Sequence, residues 1–468
     1  MKINPSIFKA YDIRGIYPND INEEIIKKIT QAIYYFFAKT LKKSSLKIVL
    51  GYDMRLSSPP LYQSVRDTLV NLGTTVIDIG MVPTPTVYFY SLFSKTDAGI
   101  QISASHNPPQ WNGLKFFYCQ GNKIYKASRE LGMEEVKKLV TEKTDLLKNI
   151  PQRKGEVIKV KEALQKEMEL AVNIVKPKIK KLKIAVDPAN TMGILMFDQL
   201  WKTIPAEVIK LNYDLDGNMP SHEANPLKFE TLKELQKTVI DKKADLGIAT
   251  DGDADRVFFI DENGEIIPST LISSLITEDI LKKEPNNKIL CDVRYVNNVK
   301  NIVAKFKGEF ILAPVGHALI TKSLNENQAA FCGESSGHYY FRETGGAEST
   351  IRVILTILHL LSTTKKSLSQ LVKEIKSSFE SGEYNYHLTS NLTLQDIFNS
   401  LKEKFADDGK VIFLDGLTIE YPSWRFNIRG SNTEPLIRLN VEADNKKTLE
   451  NKLKNLQLFF GKLGLKKA

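Results

Sequence analysis

Cysteine is scarce in this chain, and its scarcity excludes a class of folds. Cys119, Cys291 and Cys332 are the only three among 468 residues, and no two form a C-x-x-C pair. A disulfide framework is therefore not what organises the fold, and a reducing, cytoplasmic setting is expected. Long apolar runs are lacking too. None reaches the roughly 18 residues of a membrane-spanning helix, and the longest, 353–361, carries Thr356 and His359 and reads as a buried core helix. The opening MKINPSIFKAYDIRG has no apolar stretch of the kind a secretory signal needs, so none is expected. There is no low-complexity segment, no G-x-S-x-G elbow and no legible Ser-His-Asp order. The formal net charge is +10, but the lysines fall in small scattered groups such as Lys27 with Lys28 and Lys178 with Lys180 and Lys181. Without interleaved aromatics these do not make a nucleic-acid surface. Neither nucleic acid nor membrane is an expected partner, and the basic balance suits a small acidic substrate.

The chain does have enough apolar residues, 42 %, for large cores, and a length that by itself suggests about three domains. Residues 22–41 carry Ile25, Ile26, Ile29, Ile33 and Phe36/Phe37 at helical spacing behind Asn22, a good N-cap. Strands at 46–52, 75–81 and 98–104 alternate with helices at 60–72 and 84–93, which predicts a mostly parallel sheet covered by helices. The rhythm recurs over 183–250 and again over 289–332. The last hundred residues differ, with a hairpin at 410–421 around Asp415-Gly416, strands at 425–428 and 436–441 and a helix at 446–460. The expected fold class is α/β: three similar mixed α/β domains (1–150, 151–261 and 262–366) and a C-terminal α+β domain (367–468).

Four loops carry residues suited to chemistry. Asp251-Gly-Asp253-Ala-Asp255-Arg256 follows an apolar run and sets three carboxylates at alternate positions, which repel one another unless a cation lies among them. Hard oxygen donors favour Mg²⁺ or Ca²⁺. Arg256 occupies the sixth position, where an EF-hand needs Gly, so that loop is rejected, and open coordination positions suit phosphoryl chemistry. Ser103-Ala-Ser105-His106-Asn107-Pro108 follows a strand at the carboxyl end of a sheet, where α/β proteins place their sites. Spacing alone leaves it open between a reactive serine and an ordinary turn. Lys115 is a candidate base if burial or cationic neighbours lower its pKa. Arg429-Gly-Ser431-Asn432-Thr433-Glu434-Pro435, with Arg438 beyond, can hold a phosphate dianion or form a plain hairpin turn. Cys332-Gly-Glu334-Ser335-Ser336-Gly-His338 offers a dense set of hydrogen-bonding groups for a polyol, or forms an ordinary polar turn.

Taken together, and with Phe8-Lys-Ala-Tyr-Asp-Ile-Arg-Gly15, Asp216-Gly-Asn-Met-Pro220 and Val315-Gly-His317, these loops resemble the α-D-phosphohexomutase family, in particular its phosphomannomutase/phosphoglucomutase group. The resemblance runs from Phe8 to Arg438. It implies four domains around a central active-site cleft, and an enzyme that interconverts hexose 1-phosphate and hexose 6-phosphate through a phosphoserine and a hexose 1,6-bisphosphate. It implies Ser105 as the phosphoryl carrier, and Asp251, Asp253 and Asp255, with Ser105, as the Mg²⁺ shell. Lys115 is implied as general acid or base, with His317 and Arg256 aiding proton transfer or charge stabilisation. Glu334 and Ser336 match the sugar readers; Arg429, Ser431, Asn432 and Thr433 match a phosphate clamp; Tyr11, Arg14, Arg294 and His338 match further substrate contacts. The partner is a phosphosugar and the oligomeric state a monomer or small homo-oligomer. Tyr52 stands where a basic residue is common, Gly345-Gly346-Ala347 where acids are frequent, and Ser335 where Met or Gln is usual. The preferred sugar is therefore open, including glucosamine phosphate, and a phosphomonoesterase with a serine phospho-intermediate is the rival chemistry.

Overall fold

The structure, a computed structural model, describes residues 3–142, 154–388, 392–430 and 436–468. The expected domain boundary at 150/151 and the residues Ser431, Asn432 and Thr433 lie outside the described residues. The chain forms two compact units. The first comprises residues 1–267, 321–331 and 336–371, and the second 268–320, 332–335 and 372–468.

In the first unit, β1 (Ile13–Ile16) leads into α1 (Glu23–Leu41). Asn22 caps α1 by accepting from the Ile25 amide at 3.0 Å, with Glu23 and Glu24 in the first turn and Lys39 in the last, each placed to suit the helix dipole. Its apolar stripe, Ile26, Ile29, Ile33 and Phe37, is wholly buried against Ile48, Leu50, Ile100 and Leu114 in one core. Then follow β2 (Lys47–Tyr52), α2 (Ser58–Asn71), β3 (Thr75–Met81), α3 (Thr84–Phe93), β4 (Ala98–Ile102), β5 (Trp111–Gln120), β6 (Lys123–Lys126), α4 (Met133–Thr141), β7 (Glu156–Lys159) and α5 (Ala163–Val175).

The first sheet runs β1-β5-β4-β2-β3-β7, with β6 on β5. The ladders β4-β2-β3-β7 are parallel as expected, whereas β1, β5 and β6 join antiparallel, so the sheet is mixed rather than mostly parallel. The sequence rhythm missed β5 because eight of its ten residues are buried in succession, which erases the alternation that marks a half-exposed strand. Gly113 on β5 has to be glycine, since a Cβ there would overlap the Ile13 carbonyl of β1.

A second sheet is made by β8 (Leu182–Asp187), β9 (Ala206–Lys210), β10 (Leu246–Thr250), β11 (Val257–Ile260) and β12 (Ile266–Ile267), in the order β12-β11-β10-β8-β9. β10 and β11 are antiparallel and are joined by the acidic loop 251–256. This loop and the serine loop 103–108 thus both leave the carboxyl end of a buried strand. The hairpin of Tyr339–Phe341 with Ala347–Glu348 and the buried helix Thr350–Thr364 complete the unit.

In the second unit the parallel strands Lys288–Asp292 and Glu309–Ala313 pack with the helices Ser269–Lys283 and Asn297–Lys305. The C-terminal part is an antiparallel sheet that includes Phe379–His387, Lys410–Phe413, Leu417–Glu420, Trp424–Gly430 and Leu436–Ala443, with the helix Lys446–Lys462 behind it. It has its own apolar core of Ile419, Phe426, Ile428, Leu439, Val441 and Phe460. This is the expected α+β tail. No helix among the described residues is long and apolar enough to cross a membrane.

Candidate active site

The serine loop is held from beneath by a residue that sequence reasoning did not single out. Arg55 is fully buried and pairs with Asp53 at 3.1 Å. Its guanidinium donates to four backbone carbonyls, those of Ser105 (2.7 Å), Asn107 (2.6 Å), Pro108 (2.7 Å) and Trp111 (3.0 Å). Asp53 also accepts from Ser58 Oγ at 2.6 Å, and Ser103 Oγ accepts from the Ser105 amide at 2.9 Å. This network holds Ser105 at φ 50°, a left-handed conformation that costs a non-glycine residue on the order of 1 kcal/mol and that tends to mark functional positions.

Ser105 Oγ donates to Asp251 Oδ2 at 3.1 Å and lies 3.2 Å from His106 Nδ1. Burial, then Arg256 and Arg14, pull the His106 pKa well below its ordinary value, so the imidazole beside the hydroxyl is neutral. The two loops also meet backbone to backbone at Gly252, where a Cβ would overlap the Ser105 carbonyl oxygen.

Asp251, Asp253 and Asp255 are all buried, and each brings a carboxylate oxygen within 4.8 Å of the others. Burial, then Asp255 and Asp253, push the Asp251 pKa up to about 8. Asp255 goes the other way. Burial raises it, but Lys115 and His338 outweigh burial and hold it well below the usual carboxylate range. Three adjacent acids can therefore share the charged state only if more positive charge is supplied. Asp253 Oδ1 is buried with no hydrogen-bond partner among the described residues. A partnerless buried oxygen in an all-oxygen cluster fits a hard divalent cation.

Lys115 projects from the middle of β5 and places its Nζ 2.6 Å from Asp253 Oδ2 and 2.7 Å from Asp255 Oδ2. Burial lowers its pKa, but the two aspartates and Tyr88 outweigh burial and raise it well above the ordinary lysine value. The two aspartates thus favour the protonated form of Lys115. Thr84 Oγ1 donates to the same Asp253 oxygen at 2.6 Å. His338 sets its Nε2 3.2 Å from both Asp255 Oδ1 and Arg256 Nε, and its Nδ1 lies 3.0 Å from Ser336 Oγ. The Arg256 amide donates to Asp251 Oδ1 at 3.2 Å. Arg14 pairs with Asp12 at 2.6 Å and donates to Asn107 of the serine loop. Asp255, His338 and Glu348 also bring ligand atoms together, but Lys126 pairs with Glu348 and supplies the positive charge there.

In the first unit the structure thus gathers Ser105, Lys115, Asp251, Asp253, Asp255, Arg256, His338, Ser336 and Arg14. Tyr11 is half-buried, three residues before Arg14. The second unit holds the other described candidates. Buried Asp292 accepts from Arg294 Nε and from the Arg294 amide at 2.9 Å, and from the Ser335 amide and hydroxyl at 2.6 and 2.8 Å. Arg294 in turn donates to Glu334 at 3.1 Å. Arg429 donates to Glu383 at 3.0 Å, and Arg438 pairs with the other oxygen of Glu383 at 3.2 Å. His317 begins the helix His317–Asn327, after a loop in which the Val315 amide donates to Asp415 at 3.0 Å. Asp292, Glu383 and Arg55 were missed in the sequence because each acts through partners distant along the chain, and Asp53 because its role is to pair with Arg55.

Comparison with known proteins is consistent along the whole chain. Four family models match in sequence order: phosphoglucomutase/phosphomannomutase alpha/beta/alpha domain I over residues 5–143, domain II over 161–264, domain III over 269–379, and the C-terminal domain over 369–455. A phosphomannomutase of Vibrio cholerae is 35 % identical across 98 % of this chain and 99 % of its own length. A phosphomannomutase of Methanocaldococcus jannaschii is 34 % identical across 98 % of each. The crystal structure of a phosphoglucomutase/phosphomannomutase family protein from Burkholderia thailandensis superposes with a TM-score of 0.86 at 28 % identity, covering 98 % of this chain and 97 % of that one. With its domains matched in order and its length shared with these relatives, the chain belongs to the phosphoglucomutase/phosphomannomutase family.

Proposed function

We propose that this protein is a hexose-phosphate mutase that interconverts the 1- and 6-phosphates of mannose, glucose or both, with Ser105 as the phosphoryl carrier. The observation that carries the reading is the meeting of Ser105 Oγ with the buried triad at Asp251, 3.1 Å away. The names of the relatives, phosphomannomutases at about one-third identity over nearly the full chain, support the reaction class. Domain limits near residues 150, 261 and 366 belong to the same proposal.

Asp251, Asp253 and Asp255 would hold Mg²⁺, which when bound neutralises charge on phosphoryl oxygens. Positioning and charge neutralisation do most of the work of phosphoryl transfer. Phosphorylated Ser105 gives its group to the free hydroxyl of the bound hexose phosphate: the Oγ–P bond breaks as the new O–P bond forms, the departing Oγ takes a proton from Lys115 Nζ, and the proton released by the hydroxyl restores that of Lys115. The bisphosphate so produced turns round and returns its other phosphoryl group to Ser105 Oγ. Lys115, protonated between Asp253 and Asp255, supplies positive charge at the acidic triad and a proton at Nζ. His317 and Arg256 are assigned to proton transfer and charge stabilisation. Glu334, Ser336, Arg294, His338, Tyr11 and Arg14 are assigned to the sugar and its phosphates. Arg429 is assigned, with Ser431, Asn432 and Thr433, to the phosphate that does not react. Exclusion of water separates this chemistry from phosphatase action.

The test is interconversion of the 1- and 6-phosphates of mannose, glucose and glucosamine with Mg²⁺ and a trace of the corresponding bisphosphate. Formation of 6-phosphate from mannose or glucose 1-phosphate is expected. Release of inorganic phosphate without any 6-phosphate would establish the phosphomonoesterase instead.

A further inference from the structure

Arg429 and Arg438 face each other directly across the antiparallel pair of strands Trp424–Gly430 and Leu436–Ala443. Like charges in that position destabilise a sheet unless an anion lies between them. Arg429 is 4 % exposed in its side chain, and its Nε has no hydrogen-bond partner among the described residues. Burial, then Arg294, pull its pKa down, with Glu383 opposing them.

Glu383 comes from the neighbouring strand, Phe379–His387, at the place where its register with Leu436–Ala443 shifts between Glu380 and Glu383. Gly382, at φ 76°, makes the irregularity possible. Bulges of this kind re-aim a side chain. Here the result is one carboxylate whose two oxygens are divided between two guanidiniums, Oε2 to Arg429 and Oε1 to Arg438. Two separately held oxygens on one acid match the way a phosphate dianion would bridge the same pair.

We propose that Glu383 is the resident counter-ion of the phosphate clamp, yielding its two arginines to the substrate phosphate and reclaiming them when that phosphate leaves. The proposal deepens the mutase reading and rests on it. A mutase clamp has to release as well as bind, because the intermediate exchanges its two phosphates. Departure of a phosphate without a replacement would leave the buried Arg429 charge unpaired, which is costly. Glu383 is 26 % exposed in its side chain, so it can retreat towards water while the phosphate is bound.

The experiment measures inorganic phosphate binding by titration calorimetry to the full chain, as wild type, Glu383→Gln and Arg429→Ala. Removing the competing carboxylate is expected to tighten phosphate binding about fivefold, the scale of a partly exposed ion pair. The KM for the hexose 1-phosphate is expected to fall with it while kcat does not rise, because release slows. Glu383→Asp, too short to reach both arginines, is expected to fall between wild type and Glu383→Gln. Unchanged or weaker phosphate binding in Glu383→Gln, with binding still lost in Arg429→Ala, overturns the counter-ion role alone. Unchanged binding in Arg429→Ala removes the clamp assignment and this proposal with it.

Discussion

Gly252 and Ser105 touch backbone to backbone: a Cβ on Gly252 would overlap the carbonyl oxygen of Ser105. The acidic loop and the serine loop are therefore in register through a contact that only glycine permits. Gly252→Ala is expected to push the loops apart. The stability cost should be about 1–3 kcal/mol, as for other overpacked sites. Because a displacement of about 1 Å can cost on the order of 100-fold in rate, mutase turnover should fall by about that factor while circular dichroism shows a folded protein. Steady-state kinetics beside thermal melts check this.

Arg55 holds the same loop from the other side through four carbonyls and Asp53. Lysine keeps the charge but not the planar fork, so Arg55→Lys should leave several buried acceptors unsatisfied. Each buried acceptor left unsatisfied costs about 1–3 kcal/mol. A large fall in denaturation midpoint is expected, and turnover at a temperature where the variant is still folded should be reduced as well. Wild-type turnover in Arg55→Lys would show that the serine loop does not depend on this support.

The acidic triad gives a prediction of opposite signs. With no cation bound, burial first and then repulsion from Asp255 and Asp253 push Asp251 up to about 8. Asp251→Asn should therefore raise the melting temperature of chelator-treated protein. It should also diminish the stabilisation that Mg²⁺ is expected to confer on the wild type, about 2.7 kcal/mol at 100 times the dissociation constant. Differential scanning fluorimetry with and without Mg²⁺ reads both effects. Chelation should abolish wild-type turnover, and added Mg²⁺ should restore it.

Glu167, on α5, is buried, accepts from Thr86 Oγ1 at 2.6 Å, and has its pKa pushed by burial up to about 7 from an ordinary 4.5. Below about pH 4.5 the carboxyl is protonated folded or unfolded, and its ionisation costs nothing. As pH rises towards 7 the unfolded chain releases the proton first, so stability falls. Above about pH 7 the loss levels off near 3 kcal/mol, from about 2.5 pKa units. Glu167→Gln should remove this component and melt higher than wild type at pH 8 but not at pH 4.5. Parallel pH profiles for the two proteins would contradict it.

The parts of this protein that were legible in its sequence are those written locally. The cap and stripe of α1 sit within twenty residues, and the alternate acids 251, 253 and 255 lie in one loop, so both could be read directly. What was not legible depends on partners far apart in the chain. β5 is buried almost end to end and carries no periodic signal. Arg55 looks like an ordinary basic residue until its carbonyl partners fifty residues away are in place. Asp292 and Glu383 likewise gain meaning only from Ser335 and from the facing Arg429 and Arg438. Lys115 was found, but its protonation was not. Whether burial lowers a lysine or aspartates raise it depends on distances of 2.6 and 2.7 Å that only folding supplies.

The most direct measurement is intact mass of the protein after incubation with hexose 1,6-bisphosphate and Mg²⁺, followed by peptide mapping. The account predicts a gain of one phosphoryl group on Ser105. Added hexose 1-phosphate should remove it while bisphosphate and then 6-phosphate form, and Ser105→Ala should show neither event. A protein that interconverts the two phosphates while position 105 never carries phosphate would contradict it.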